Sequence, residues 1–192
     1  MTQTIRTFVA VEMDPAIRKG AQGLIEKFRA AGAEVSWTAP ENMHLTLKFL
    51  GDVSDADVPG VCEAVRGAVA GVAPFDLEIR GAGAFPNLSR PRVIWLGSAE
   101  GDEPMADLAD RIDTALKKLG FAREARRFHA HLTLGRVRRG GPAISALASL
   151  VQEHADAQIG RTPVDEVVVF SSQLKPTGAI YEALDRAELG GA

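Results

Sequence analysis

Cysteine is almost absent from this sequence. Cys62 stands alone among 192 residues, so no disulfide can close within the chain. A lone thiol fits a reducing compartment. No apolar run approaches the roughly 18 residues that a membrane-spanning helix needs. The opening "MTQTIRTFVAVEMD" lacks the charged, apolar and small-residue order of a signal peptide. Low-complexity tracts and long flexible linkers are missing too. These absences exclude a disulfide-stapled secreted scaffold and a helical membrane protein. What is left is one globular unit, expected in the cytoplasm with no membrane partner. Its 46% hydrophobic and 24% charged residues suffice for a core without staples.

Acidic residues outnumber basic ones, for a net charge of −3, but not evenly. Between Lys117 and Arg139 eight basic residues face a single acid, Glu124. An acidic chain with one basic stretch implies a local anionic ligand, with a merely solvated face as the competing reading.

Four helices are expected. Asp14-Pro15 opens the first, with Ile17, Ala21, Leu24, Ile25 and Phe28 on one face and Gly32 at its end. The second starts at Ser54 and presents Val58, Val61, Cys62, Val65 and Val69, which places the lone thiol in the core. The third carries Met105 to Leu119 and stops at Gly120. The fourth follows Pro142, with His154 in phase with its apolar face and therefore structural. Seven segments read as strands: "RTFVAVE", "HLTLKFL", "FDLEIRG", "RVIWLGS", "AHLTLGRV", "DEVVVFSS" and "AIYEALD".

Histidine is scarce as well, yet two of the four fall in the same word. "HLTL" occurs at His44 and again at His131, 87 residues later. Phe8 precedes His44 by 36 residues, and Ile94 precedes His131 by 37. The motif therefore sits in a repeated half-domain, spanning about 4–85 and 90–186 of one 1–192 domain. Two repeats facing across a pseudo-two-fold axis would bring the HLTL strands together. Side chains alternate along a strand. His44 and Thr46 then share one face with Lys48, and His131 and Thr133 share one, while the leucines point into a core. Lys48 is thereby expected to offer its charge to a phosphate. Two imidazoles and two hydroxyls across a cleft suit phosphoryl chemistry, since one imidazole can take a proton while the other gives one. His129 with His131 forms an HxH element that a metal could use, but no Asp, Glu or Cys stands at ligand spacing beside it, and no metal is expected. Trp37 and Trp95 are assigned to packing.

Two HxT motifs, one per half, resemble the two-histidine (2H) phosphoesterase superfamily. "RTFVAVEMD", "WTAPENMHLTLKFLG", "RPRVIWLG", "FHAHLTLGR" and "SSQLKPTGAIYEAL" are similar, in order, to segments of the RNA 2′,3′-cyclic phosphodiesterases, also called 2′-5′ RNA ligases. The resemblance implies an α+β fold of two pseudo-symmetric, LigT-like lobes of antiparallel sheet with outer helices and a cleft between. It implies hydrolysis of RNA 2′,3′-cyclic phosphate ends, such as those of broken tRNA halves, to 2′-phosphomonoesters. A weak, reversible, ATP-independent 2′-5′ joining goes with it. It implies no cofactor, and because the two halves already pair within the chain a monomer is expected. His131 becomes the base and His44 the acid, with Thr46, Thr133, Arg136 and Phe8 binding substrate. Phe8 would stack on the terminal base, with a core phenylalanine as the rival reading. Arg136 has the wrong parity for the His131 face unless Gly135 marks a bulge. Ala130 departs from the family, which commonly has proline there. Substrate preference would lie in "GAGAFPNLSRP" and "LGFAREARRF". Other cyclic phosphates, oligonucleotide trimming or a non-catalytic nucleotide binder remain as alternatives.

Overall fold

A computed structural model describes residues 3–175 and 178–190. Its chain order is β1 (Thr4–Glu12), α1 (Pro15–Arg29), β2 (Val35–Trp37), β3 (His44–Ser54), α2 (Val58–Val69), β4 (Phe75–Phe85), β5 (Val93–Ser98), α3 (Asp102–Lys117), β6 (His131–Val137), α4 (Ala143–Glu153), β7 (Gln158–Val164), β8 (Glu166–Lys175) and β9 (Gly178–Glu188). The four expected helices are present. Asp14 caps α1 by accepting a 2.8 Å hydrogen bond from the Ala16 N–H, and Pro15 fills the first helical position, where its missing donor costs nothing. A 3-10 turn over Asp55–Asp57 delays α2 past Ser54.

Two short strands escape the sequence pattern. β2 has only three residues. β7 contains Gly160 and Pro163, poor strand formers, and it survives because it is an edge strand with a ladder on one side only. Pro176 and Thr177 of the "SSQLKPTGAIYEAL" segment lie outside the described residues.

The fold is α+β, with two antiparallel sheets ordered β3-β1-β8-β9 and β2-β6-β5-β4-β7. α2 and α3 pack against the first sheet, α1 and α4 against the second. These sheets do not divide the chain at its midpoint. β4 belongs to the sequence's first half but pairs with β5 and β7, and β8 and β9 return from the C-terminal region to extend β1. The helix-facing side of each sheet is the main core, including Val9, Val11, Leu45, Leu132 and Leu134. On the other side of the first sheet lies a smaller buried cluster of Phe8, Ala10, Val168 and Phe170. β3 and β6 approach each other with Cα atoms within 8 Å, and they carry the two HLTL motifs.

Candidate active site

Both HLTL histidines are held by their own chain. The His44 Nδ1 lies 2.8 Å from the Asn42 carbonyl, and the His131 Nδ1 lies 2.8 Å from the His129 carbonyl. A carbonyl can only accept, so each Nδ1 carries a hydrogen. That fixes the tautomer and leaves each Nε2 to exchange a proton with a ligand. Asn42 is itself anchored, its side-chain amide donating to the Ala179 carbonyl at 2.8 Å. Leu45 and Leu132 are fully buried beneath the two motifs, while His44, Thr46, His131 and Thr133 are half-buried on the opposite face.

Strict alternation ends at the same place in both strands. Ala10 pairs with Thr46 and Val9 with Lys48, so Leu47 is an extra residue in β3. Trp95 pairs with Thr133 and Ile94 with Gly135, so Leu134 is the extra residue in β6. Each bulge reverses the parity of the residues beyond it. Lys48 therefore turns away from His44. It is 4% exposed, and its ammonium bonds Asp113 at 2.6 Å. The expectation that Lys48 faces a phosphate is corrected: it is one half of a buried ion pair. In β6 the same reversal returns exposed Arg136 to the His131 face. Gly135 is required there because a Cβ would come within 2.7 Å of Trp37 and of Val35.

Aromatic rings back each imidazole. The Phe8 ring lies 4.8 Å from His44 and 5.2 Å from Phe170, and Tyr181 meets His44 edge-on at 5.2 Å. Around His131, Phe85 stands edge-on at 5.1 Å and His129 lies parallel at 6.3 Å. Trp95 packs against both Phe85 and His129 and pairs with Thr133 across β5 and β6. Phe8 is 3% exposed. That burial makes it the core phenylalanine of the rival reading rather than a stacking surface for a substrate base, its ring packed against His44, Phe170 and Tyr181. Phe85, Phe170 and Tyr181 carry no signal in the sequence as site residues, because they lie on strands that join β1 and β6 only through long-range pairing. His129 is visible through its HxH spacing from His131, but as a ring beside that imidazole and not as a metal ligand.

A LigT-like phosphoesterase family model matches this chain twice, over residues 11–95 and 96–181. The chain belongs to that family. An RNA 2′,3′-cyclic phosphodiesterase of Methanothermobacter thermautotrophicus is 38% identical over 94% of this chain and 97% of its own. The crystal structure of a Thermus thermophilus protein superposes with a TM-score of 0.81 at 27% identity, over 97% of this chain and 99% of that one. Escherichia coli LigT in complex with 3′-AMP gives 0.77 at 25% identity, over the same shares.

Within this family member the two imidazoles differ electrostatically. Burial pushes His44 below its ordinary pKa, and the Asn42 carbonyl and the Glu12 carboxylate pull it part of the way back. Burial also lowers His131, and the His129 carbonyl opposes it, but there the charges of His129 and Arg136 push further down. Burial raises the Tyr181 hydroxyl above its ordinary range, and the charges of Arg136 and Arg6 oppose that shift. Among the described residues, no group of three His, Cys, Asp or Glu side chains is arranged to hold a metal. No described helix is long and apolar enough to cross a membrane.

Proposed function

We propose that this chain hydrolyses 2′,3′-cyclic phosphate ends of RNA to 2′-phosphomonoesters, with His44 and His131 as a proton-exchanging pair. The mirrored Nδ1–carbonyl bonds carry the reading. They leave both Nε2 atoms committed to proton transfer, a provision that simple binding does not need. Water attacks phosphorus in line with the departing O3′. His131 Nε2 takes the water's proton as the P–O bond forms. His44 Nε2–H gives its proton to O3′ as the other P–O bond breaks. Thr46, Thr133 and Arg136 bind the non-bridging oxygens, where charge develops.

The electrostatics support this order of roles. Glu12 favours the imidazolium of His44, as an acid needs. Arg136 disfavours that of His131, as a base needs. A 5′-hydroxyl in place of water would give a 2′-5′ bond by the same steps. One chain supplies every group, so a monomer suffices.

The test is an oligonucleotide ending in 2′,3′-cyclic phosphate, incubated with the protein in EDTA. The expected product carries a 2′-phosphate. A 3′-phosphate product would reverse the assignment of the leaving oxygen, and no turnover would overturn the reading.

A further inference from the structure

Two stretches of this acidic chain contain no acidic residue: 79–99 and 125–152. Between them they carry eight arginines. They are far apart in sequence, but β4, β5 and β6 are neighbours, so the fold gathers them. At the end of β6 remote from His131 they enclose a groove of about 510 Å³, lined by Arg90, Arg92, Arg138 and Arg139 with Ser89 and Ser145.

These arginines differ from six of the twelve others in the sequence. Arg18, Arg29, Arg66, Arg123, Arg161 and Arg186 each meet a carboxylate. Among the described residues none of the four groove arginines does, and no acid lines the groove. Arg138 donates only to the Ser36 hydroxyl, at 3.2 Å. All four are exposed. Like charges gathered without counter-charge repel one another and add nothing to the fold. A polyanion supplies the missing charge. The groove also lacks an aromatic ring, so it offers charge to a backbone and no stacking surface to a base.

The groove continues the cleft. Arg136 pairs with Val93, and the next residue, Val137, donates its N–H to the Arg92 carbonyl. Arg138 follows His131 by seven residues, roughly 20 Å along an extended strand. A mononucleotide bound at His131 is too short to span that distance, and a strand of several nucleotides is not.

We infer that the groove binds backbone phosphates of single-stranded RNA on the 5′ side of the cyclic-phosphate terminus, so that the protein favours polynucleotide ends over cyclic mononucleotides. This rests on the proposed hydrolysis. The experiment measures KM and kcat for a cyclic mononucleotide and for two- to eight-nucleotide substrates with the same end, using wild type and R90Q/R92Q/R138Q/R139Q. Wild-type KM is expected to fall with length. The quadruple variant loses that gain, by about tenfold or more for the longest substrate, and keeps wild-type kinetics on the mononucleotide. Its salt dependence flattens, since each phosphate contact contributes a log–log slope of about −0.7 for single strands. A wild-type KM independent of length, or a variant that keeps the length effect, overturns the inference. If wild type turns over no cyclic phosphate, the functional reading fails while the groove is still tested by anisotropy with a plain single-stranded RNA. Weaker, less salt-sensitive binding by the variant then supports the groove, and equal binding overturns it.

Discussion

At the scale of single residues, the proposed mechanism has the two histidines divide labour through their neighbours rather than through their own chemistry. His44→Ala and His131→Ala should each lower kcat by about 10²–10⁴-fold, the usual worth of one acid or base. Their circular dichroism should stay native, and a variant with near-wild-type kcat would remove that histidine from the mechanism. Both imidazoles are lowered from 6.5. The base must be neutral and the acid charged, so kcat/KM should peak on the acid side of pH 6.5. Glu12→Gln removes a charge that raises His44, and the alkaline limb should move to lower pH. Arg136→Gln removes a charge that lowers His131, and the acid limb should move to higher pH. Limbs that stay in place in both variants would contradict the assigned roles. Stability follows the same shifts. The unfolded chain takes up these protons near pH 6.5 and the folded chain only below it, so stability is lost as pH falls from about 6.5 through the lowered values. H44A/H131A should lose less stability than wild type between pH 7 and 5, as read by urea midpoints.

At the scale of elements, the bulges decide which side chains share a face. Alternation was enough to place His44 with Thr46 and His131 with Thr133, because those pairs precede the extra leucines. Beyond them it failed for Lys48. It would have failed for Arg136 too, had Gly135 not hinted at a break. A bulge is a property of cross-strand register, and one strand's sequence does not contain its partner's. The corrected place of Lys48 is testable. Asp113→Ala leaves a buried ammonium without its nearest carboxylate and should cost about 3–5 kcal/mol. Lys48→Met leaves Asp113 still held by Arg123 at 2.9 Å and should cost less. Neither should change kcat. A folded Lys48→Met protein without activity would return Lys48 to the cleft.

At the scale of the whole molecule, the sequence repeat and the spatial lobes are different divisions. The helices and the doubled motif were legible because each depends on local periodicity or on spacing, and the α+β class followed from the family resemblance that the motifs carry. The traffic of β4 into one sheet and of β8 and β9 into the other was not, because strand order is set by pairings between distant segments. The exchange has a consequence for folding. A fragment of residues 1–88 lacks β8 and β9 for its own sheet and holds a β4 with no partner. Expressed alone, residues 1–88 and 89–192 should each fail to give a cooperative thermal transition, and mixing them should restore one. A cooperative transition in either fragment alone would show that the lobes do not depend on the exchange.

The carbonyl two residues before each histidine also bears on how such a site can arise. Many catalytic imidazoles are oriented by a carboxylate from elsewhere in the fold, a partner that must be copied separately if the imidazole is copied. Here the orienting group is a peptide bond, present whatever side chain stands beside it. Five consecutive residues therefore make a working unit, from the carbonyl to the threonine hydroxyl. A duplication of the half-domain would deliver the second unit already aimed. On the proposed mechanism, later divergence of the two halves then needs to change only the charges nearby, a glutamate beside one ring and an arginine beside the other, to turn two identical tools into an acid and a base.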